Sequence, residues 1–543
     1  MKEYSIPIIF GITGHRDLRK KDIPDLKNSV ASIFKEYKKR YPNTKLILIS
    51  ALAEGADMLA ARVAKDLGVE LHVYLPYEEE AYLNSFLDRA KNEKEYFELK
   101  NYATKVEVLD CDYTKGTTIC YENLGKKIAD DSNILIALWD RKVINSKGGT
   151  SAVVMYQKEG FKENRFDAMD GNAIFIITTP REKDKDDKQS KNNFEVEKIY
   201  LGNHIKEKEF NEMLKNIDEI NRKIAKSINT KDSTKKDSNN SNIGKLEFWM
   251  NYFSKNAKSK QKIFKRCSVA ILLLTFAAFL SLQLVAYFKD DIYRFYYIVG
   301  VLLAFLIYFI VMKSGKLQND FVYSRGLAEA LRVQNAYNGA GIKDSTARYY
   351  LKDHHHKFTW LRFALKNMTT LDKKPFKPRY SKGDKPEDWI NGQIEYFQNS
   401  GLRPRYNKLR FGKVIQNALY ISGVIILIAI IIQKIDSFYN LNLSIVHKYN
   451  VNWDFLVFYS GILLFAAAFI GEKYLKIAGY EEEIYNFENM LSHFKDAKDR
   501  LEGVDKNSKD YQTIIKDLGE KALQENGNWV VLHDKKRVKP SLK

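Results

Sequence analysis

The sequence predicts an α/β domain with a doubly wound, Rossmann-like parallel sheet at the N-terminus, followed by an α-helical membrane region. Over residues 1 to 180, short β-branched runs alternate with longer amphipathic stretches, which is typical of a parallel sheet with helices on both faces. Four later stretches are apolar and contain no Lys, Arg, Asp or Glu. Because a helix of roughly 20 apolar residues crosses a bilayer, we expect four transmembrane helices together with cytoplasmic helices.

Six strands are expected in the N-terminal domain, each short and rich in Ile, Val or Leu: Ile6–Ile12, Lys45–Ser50, Glu70–Leu75, Lys105–Leu109, Asn133–Leu138 and Ala173–Thr178. Amphipathic helices are expected over Ile23–Tyr41 and Ala56–Leu67. Doubly wound sheets bind their ligands at the carboxyl ends of the strands. The loops that follow the strands are therefore the candidate binding loops.

The four apolar stretches are Cys267–Phe288, Phe295–Met312, Val414–Gln433 and Phe455–Gly471. Together with the polar segments they divide the chain into six parts. These are the sheet domain (1–180), a polar linker with one helix (181–243), a first transmembrane hairpin with a basic pre-helix (244–316), a cytoplasmic helical insert (317–412), a second hairpin (413–474) and a cytoplasmic helical region (475–543).

Much of the formal net charge of +20 lies beside the apolar stretches, so it does not by itself indicate binding to nucleic acid, and no such partner is expected. Lys265 and Arg266 precede the first stretch, and Arg410 and Lys413 precede the third. Positive charge marks the cytoplasmic ends of transmembrane helices, so both termini are expected in the cytoplasm. The stretches carry no charge that would identify an ion pathway or a proton relay.

The three cysteines, Cys111, Cys120 and Cys267, offer neither a disulfide framework nor the spacing of a zinc site. The first apolar run is too short for a secretory signal, so a reduced cytoplasm fits the large domains. No metal site and no cofactor are expected.

The first candidate loop is GITGHRDL, which directly follows the first strand. Gly11 and Gly14 let backbone amides approach an anion because no Cβ stands in the way. Thr13 adds a hydroxyl, and His15 and Arg16 can contact a phosphate or a base edge. A tight strand–helix turn with surface charges would show the same residues, and both interpretations stay open.

The second candidate loop is SALAEGADMLAA, which follows the second strand. Gly55 permits a close turn. Asp57 begins the next helix, where it can cap the helix or accept a hydrogen bond from a ribose hydroxyl. Capping is the simpler interpretation of Asp57. Glu54 is a further candidate for a hydrogen bond to a sugar.

The third candidate loop lies in ALWDRKVINSKGGTSAVV, after a later strand. Gly148, Gly149 and Thr150 open a helix, and a helix N-terminus suits a phosphate. Trp139 can stack on a base, and Asp140 can bind a ribose or a polar base edge. Simple packing of Trp139 is an equally open interpretation.

Taken together, TGHRD, SALAEGAD and the WD…KGGT segment resemble the SLOG superfamily, the Rossmann-like group that includes cytokinin-activating LOG enzymes and DNA-processing Smf/DprA proteins. The resemblance covers roughly residues 5–180 and includes LPYEEEAYLNSF at 75–86. It implies a nucleotide pocket lined by Gly11, Thr13, Gly14, His15, Arg16, Gly55, Asp57 and Gly148–Thr150.

One departure from the LOG pattern bears on activity. LOG enzymes carry a PGGxGTxxE loop whose Glu serves hydrolysis, whereas KGGT is followed here by Ser151–Val154. The catalytic Glu is missing from that frame. The resemblance therefore implies sensing of a nucleotide rather than its hydrolysis, and no catalytic residue is predicted.

The membrane half carries motifs of its own, YSRGLAEALRVQNAY (323–337), DWINGQIEYF (388–397) and LGEKALQENGNWVVLHDKKR (518–537). They look like the SLATT-type effectors, membrane proteins that accompany nucleotide-signalling systems in bacterial defence. The resemblance implies a multi-pass, homo-oligomeric protein of the bacterial inner (plasma) membrane.

The two resemblances together imply a membrane effector that senses a nucleotide second messenger and disrupts or permeabilises the lipid bilayer in anti-phage defence. The expected ligand is an ADP-ribose-derived or cyclic nucleotide. Its source would be an enzyme encoded nearby, a TIR-domain protein or a nucleotidyltransferase. Two alternatives stay open: a membrane-anchored nucleotide or NAD hydrolase that uses His15, Asp57 and Asp140, and a structural or trafficking membrane protein with a vestigial domain.

Overall fold

The computed structural model describes residues 4–535 apart from 145–146, 162–170, 184–193, 203–204, 233–243, 289, 313–314, 353–355, 372–384, 440–459, 462, 465, 470, 473–474 and 476–479. The chain forms two compact units. The first, called the sheet unit, comprises Met1–Phe253, Leu327–Gln334 and Lys343–Lys377. The second, called the helical unit, comprises Ser254–Gly326, Asn335–Ile342 and Pro378–Lys543.

The core of the sheet unit is a seven-stranded sheet. Its strands are β1 (Ile8–Gly14), β2 (Leu46–Ser50), β3 (Glu70–Leu75), β4 (Lys105–Val108), β5 (Ile134–Trp139), β6 (Ala173–Thr178) and β7 (Val196–Tyr200). They pair in the order β4–β3–β2–β1–β5–β6–β7, with β1 to β6 parallel and β7 antiparallel to β6. All six predicted strands are present within two residues of their predicted bounds, and the predicted α/β domain with a mainly parallel sheet is confirmed.

The described helices are numbered along the chain. They are α1 (Ile23–Arg40), α2 (Ala56–Asp66), α3 (Glu79–Asn84), α4 (Arg89–Tyr102), α5 (Thr117–Asp131), α6 (Thr150–Glu159), α7 (Glu207–Asp232), α8 (Lys245–Phe288), α9 (Asp291–Ile307), α10 (Lys316–Gly339), α11 (Thr359–Leu371), α12 (Pro386–Glu395), α13 (Arg403–Tyr439), α14 (Tyr480–Leu501) and α15 (Lys509–Lys535).

Alternate residues of each strand point to opposite sides of the sheet, and helices cover both faces. Ile9 belongs to a buried cluster that includes Leu124 of α5 and Val153 of α6. On the other face, Phe10 makes an edge-to-face contact with Phe34 of α1 at a ring-centroid distance of 5.3 Å. The sheet unit therefore has the layered arrangement that alternating strands and helices indicate.

The strand β7 lies in the segment predicted to be a polar linker with one helix. Helix α7 is that helix, but Val196–Tyr200 (VEKIY) carries two charges and is only half-buried, so its pattern does not predict a strand. Its strand conformation depends on antiparallel pairing with β6, with Ile199 opposite Ile174. An antiparallel edge strand of this kind is common on mainly parallel sheets.

Helix α11 is bound to the sheet by buried polar side chains. Nδ2 of Asn367 donates to the carbonyl oxygen of Pro7 at 2.7 Å, and Oδ1 of Asn367 accepts from Nδ2 of Asn133 at 2.8 Å. Oδ1 of Asn133 in turn accepts from the amide of Ile9 at 2.9 Å. These bonds join α11 to the residues that precede β1 and β5.

Lys366 extends this network. Its side chain is 5% exposed, and Nζ donates to the carbonyl oxygen of Ser132 at 2.8 Å and to Oδ1 of Asn172 at 3.4 Å. A buried ammonium group requires such partners. Residues 343–377, which the sequence places in the predicted insert between the second and third spans, therefore belong to the sheet unit.

Cys111 and Cys120 form a disulfide, so the prediction that the cysteines offer no disulfide was wrong. The bond joins the loop after β4 to the first turn of α5, where Cys120 is fully buried. Pairing requires the two Cα atoms to lie within about 7 Å. They are 5.7 Å apart here, a separation set by the packing of α5 and not readable from the sequence. Cys267 is a free cysteine.

Three described helical stretches are long and apolar enough to cross a membrane: Lys245–Val285, Asp291–Val311 and Pro386–Ile432. Their large apolar side chains are turned outward, with Phe305 59% exposed and Ile425 60% exposed. An apolar surface of this kind is typical of a helix in contact with lipid. The fourth predicted span, Phe455–Gly471, is described only in part, at 460–461, 463–464, 466–469 and 471, and is not among these three stretches.

Within the helical unit, the predicted cytoplasmic helices pack through aromatic and charged side chains. Arg405 at the start of α13 lies over the ring of Phe487 of α14 at 4.4 Å and forms an ion pair with Glu483. Arg325 of α10 lies over the ring of Trp529 of α15 at 4.1 Å. These contacts join α13 to α14 and α10 to α15.

We predict that Asn367→Ala lowers the free energy of unfolding of the sheet unit by about 2–4 kcal/mol, because it leaves the Pro7 carbonyl oxygen and the side-chain Nδ2 of Asn133 without these partners inside the protein. Thermal or urea unfolding of the full-length protein in detergent, followed by fluorescence, measures the change. Asn123→Ala, at an exposed position of α5, is the control. Equal stability of the two variants would show that α11 does not hold the sheet.

Candidate functional site

A cavity of about 540 Å³ lies at the carboxyl ends of β1 and β5, and we call it the switch-point pocket. The strands β2 to β4 lie on one side of β1, and β5 to β7 lie on the other, so the strand order reverses between β1 and β5. Ligands of doubly wound sheets bind at this reversal. Nine of the thirteen predicted site residues line the pocket: Thr13, Gly14, His15, Arg16, Asp57, Trp139, Gly148, Gly149 and Thr150.

Among the other four, Gly11 and Gly55 lie behind the pocket wall. Gly11 is within β1 and packs closely against Ser132. Gly55 precedes α2 with a φ of +82°, and a Cβ there would lie 2.6 Å from the carbonyl oxygen of His15 and 2.5 Å from that of Arg16. Only glycine fits this conformation and this approach. Gly55 therefore positions the loop that carries His15 and Arg16.

Glu54 is also behind the wall, at 5% exposure. Its carboxylate accepts hydrogen bonds from the amides of Leu87 at 2.6 Å and Asp88 at 2.9 Å, and from Nδ2 of Asn92 at 2.6 Å. These bonds order the turn before α4, and Leu87 in that turn lines the pocket. Glu54 therefore orders the rim of the pocket. It does not line the pocket itself, although a hydrogen bond from Glu54 to a sugar was predicted.

His15 and Asp140 form a buried pair. Nε2 of His15 lies 3.1 Å from both the amide nitrogen and Oδ1 of Asp140. A neutral imidazole accepts from that amide, and a protonated one donates to the carboxylate. Burial lowers the pKa of His15 below its usual value, which outweighs the opposite effect of Asp140. The neutral form therefore prevails at neutral pH, and Oδ2 of Asp140 has no hydrogen-bond partner among the described residues.

Arg16 brings a positive charge that no described carboxylate neutralises by an ion pair. It donates to the carbonyl oxygen of Ser85 and to the hydroxyl of Tyr121, both at 3.3 Å. These are long hydrogen bonds to neutral partners. Arg181, which also lines the pocket, is instead paired with Asp17 at 2.9 Å. The unpaired charge of Arg16 fits an anionic ligand.

The N-terminus of α6 is a second anion-binding feature. Gly149 is its N-cap residue and provides no side chain to bond the first-turn amides. Thr150 and Ser151 line the pocket, so these amides are available to an anion. The loop passes close to α5: a Cβ at Gly148 would lie 2.6 Å from Cβ of Tyr121, which explains the glycine there.

Asp57 closes the loop after β2. Its Oδ2 accepts from the amide of Ala51 at 3.2 Å, whereas the N-cap position of α2 is occupied by Gly55. The predicted capping role is thus replaced by a bond to the preceding loop. Burial raises the pKa of Asp57 to about 7, although the Ala51 amide and the charge of Arg16 favour the carboxylate.

Two residues beside the pocket have left-handed backbone conformations without being glycine. Leu52 follows β2 with a φ of +52°, and Arg141 follows β5 with a φ of +63°. Such a conformation costs an L-residue roughly 1–2 kcal/mol. It persists where the surrounding structure imposes it, which is common at binding sites.

The sequence missed several side chains that complete the lining. Tyr82 of α3 and Tyr121 of α5 form an aromatic wall, and Lys142 and Arg181 also line the pocket. Tyr82 lies within LPYEEEAYLNSF, so the resemblance could have indicated it. Nothing in the sequence indicated Tyr121, because it lies inside α5 and reaches the pocket only through the packing of that helix.

The apolar part of the lining includes Ile12, Leu87, Leu124, Ile128, Ile144 and Val153. Trp139 is 8% exposed, and its Nε1 donates to the carbonyl oxygen of Lys142 at 3.2 Å. The pocket therefore combines two anion-binding features with aromatic and apolar walls. This arrangement suits a ligand that is anionic at one part and aromatic at another.

Comparison of the chain with protein-family models and with curated proteins gave no match. The SLOG and SLATT resemblances therefore stay predictions.

The raised pKa of Asp57 predicts a pH-dependent stability. The folded protein keeps a proton on Asp57 up to a pKa of about 7, whereas the unfolded chain releases it near 3.8. Stability is thus expected to fall as pH rises through this window, by on the order of 4 kcal/mol. Asp57→Asn should remove that slope.

The measurement is the free energy of unfolding of wild type and variant at several pH values between 4.5 and 8, roughly spanning the shift. Asp66→Asn, at the exposed end of the same helix, is the matched control and should keep the wild-type slope. Parallel curves for wild type and Asp57→Asn would contradict the assignment of a buried proton to Asp57.

Proposed function

We propose that this chain is a membrane effector that binds a nucleotide second messenger in its switch-point pocket and responds by disrupting or permeabilising the membrane in anti-phage defence. The observation that carries the proposal is the unpaired charge of Arg16 in the same pocket as the uncapped N-terminus of α6. Backbone amides at a helix N-terminus and a guanidinium are both groups that bind phosphate.

A nucleotide accounts for the rest of the lining. The amides of Thr150 and Ser151 suit a phosphate, and Trp139 and Tyr121 present aromatic surface for a base. A cavity of about 540 Å³ lies within the usual size range of small-molecule sites. The proposed signal is an ADP-ribose-derived or cyclic nucleotide, made by a TIR-domain protein or a nucleotidyltransferase encoded nearby.

The proposed response involves the spans. Four of them, including Phe455–Gly471, would form a SLATT-like region of the bacterial inner membrane, with the pocket and both termini in the cytoplasm. The apolar stretches lack charged residues, so a pore requires several protomers or a hydrophobic constriction that opens by wetting. We therefore propose a homo-oligomer whose assembly the ligand changes.

The strands β1 and β5 connect the pocket to α11. Their carboxyl ends lead to His15 and Asp140, and the residues before them bond to Asn367 and Lys366. Because α11 lies in the chain between the second and third spans, a shift of these strands would be transmitted along the covalent chain. A ligand produces such a shift only if it binds the two states with different affinity.

Two substitutions test the binding site. Gly149→Asp should abolish the nucleotide-induced rise in melting temperature while leaving the ligand-free protein at least as stable, because Asp is a favourable N-cap and occupies the amides that a phosphate needs. The φ of Gly149 is −90°, which Asp adopts without strain. Arg16→Ala should weaken binding roughly 10- to 100-fold, because it removes charged hydrogen-bond donors.

The assay uses full-length protein in detergent, titrated with ADP-ribose and a panel of cyclic nucleotides, and membrane depolarisation in cells that make the protein. Arg62→Ala is the control, because Arg62 forms half-buried ion pairs with Glu95 and Glu98 and does not line the pocket. The proposal is rejected if the wild type shows neither a thermal shift with any of these nucleotides nor ligand-dependent depolarisation.

The buried pair of His15 and Asp140 favours a second candidate function, a membrane-anchored nucleotide or NAD hydrolase. His15 lines the pocket, and in this candidate its neutral imidazole acts as the general base once Nε2 releases the amide of Asp140. Asp57, with a pKa of about 7, is a suitable acid. His15 and Asp57 are thus the groups for proton transfer in this candidate. Against it, the loop that follows KGGT has no carboxylate at the position of the catalytic Glu of LOG enzymes.

Product analysis separates the two functions. Under the effector proposal, full-length protein incubated with NAD or nucleoside monophosphates releases no nicotinamide and no free base. Chromatography of the mixture gives the readout. Product that forms with the wild type and is lost in His15→Ala would establish the hydrolase instead.

A further inference from the structure

The hydroxyl of Tyr82 is a buried polar group without a partner. The side chain is 0% exposed and lines the switch-point pocket, and its oxygen has no hydrogen-bond partner among the described residues. Nearly all buried polar atoms in proteins are paired, because an unpaired one is destabilising. A phenylalanine would fill the same space without that penalty, so the hydroxyl requires an explanation.

Packing holds the ring of Tyr82 in place. It makes edge-to-face contacts with Tyr77 and Phe86 at ring-centroid distances of 5.9 and 5.4 Å. Burial raises the pKa of Tyr82 well above its usual value; the nearby Asp57 carboxylate acts in the same direction, and Arg16 opposes it. The hydroxyl therefore stays protonated, and it is a hydrogen-bond donor close to both charged groups.

Neither charged neighbour bonds this hydroxyl. Oδ2 of Asp57 accepts from the amide of Ala51, and the guanidinium of Arg16 donates to Ser85 and Tyr121. Thus the part of the pocket around Arg16 contains an unpaired positive charge together with an unpaired donor. A phosphoryl oxygen is the group that satisfies both, because it is anionic and accepts several hydrogen bonds.

We propose that Tyr82 is a binding residue that donates its hydrogen bond to a phosphoryl oxygen of the ligand, beside the guanidinium of Arg16. This assignment presupposes the nucleotide site proposed above and adds a third phosphate-binding group to the guanidinium of Arg16 and the amides of α6. It also explains the presence of a hydroxyl at a position where the ligand-free protein gains nothing from it.

The test compares Tyr82→Phe with Tyr96→Phe in the full-length protein in detergent. Tyr96 is the matched control, because it is equally buried, but its hydroxyl donates to Oε1 of Glu79 at 3.0 Å. The probe is inorganic pyrophosphate, with its dissociation constant measured by calorimetry and the ligand-free melting temperature measured separately. Tyr82→Phe should bind pyrophosphate roughly 10-fold or more weakly with an unchanged or higher melting temperature. Tyr96→Phe should melt lower and bind as the wild type does.

Three results would overturn the assignment. These are an unchanged pyrophosphate affinity in Tyr82→Phe, a loss of melting temperature as large as that of Tyr96→Phe, and a wild type that does not bind pyrophosphate. If the nucleotide panel still stabilises the wild type, only the role of Tyr82 is lost. If no nucleotide does, the proposed function is lost as well.

Discussion

The buried hydrogen bonds that Asn367 and Lys366 of α11 make with residues before β1, β5 and β6 are the constraint on which the sheet unit depends. They satisfy backbone groups before β1 and β5, the two central strands, and they do so with side chains from α11, more than 200 residues away in sequence. Buried amides and an ammonium group are stable only when all their partners are present. The unit therefore includes a segment that follows two of the apolar stretches, and the first 180 residues alone would leave these groups unpaired.

The pocket lies at the opposite, carboxyl ends of the same strands, where several polar groups lack a partner. At the amino ends every named polar group has a partner. At the carboxyl ends Arg16 lacks an ion pair, and Tyr82 and Asp140 each have a buried oxygen without a described partner. Leu52 and Arg141 add backbone strain. Unpaired groups and strain at one place are expected where a ligand, rather than the protein itself, provides the missing interactions.

Much of the second candidate loop supports the pocket instead of lining it. Glu54 binds the turn that carries Leu87, Gly55 lets the loop after β1 approach α2, and Asp57 closes its own loop while still facing the cavity. Their residue types suit both roles, because a carboxylate that binds amides of the chain also binds hydroxyls of a sugar. Which of the two roles such a residue takes depends on the distant segments that pack against it, here the turn before α4 and the loop after β1.

The sequence by itself determined the local features: six strands from their β-branched runs, the loops at their carboxyl ends, and the uncharged stretches of which three are seen as helices long enough to cross a membrane. Local patterning suffices for these, because each depends on residues near one another in the chain. Tertiary structure alone decided the pairing of β7 with β6, the disulfide between Cys111 and Cys120, the attachment of α11, and the placement of Tyr82 and Tyr121 at the pocket. Each of these joins segments that only the packed sheet brings together, so the energy that specifies them does not exist in any local stretch of sequence.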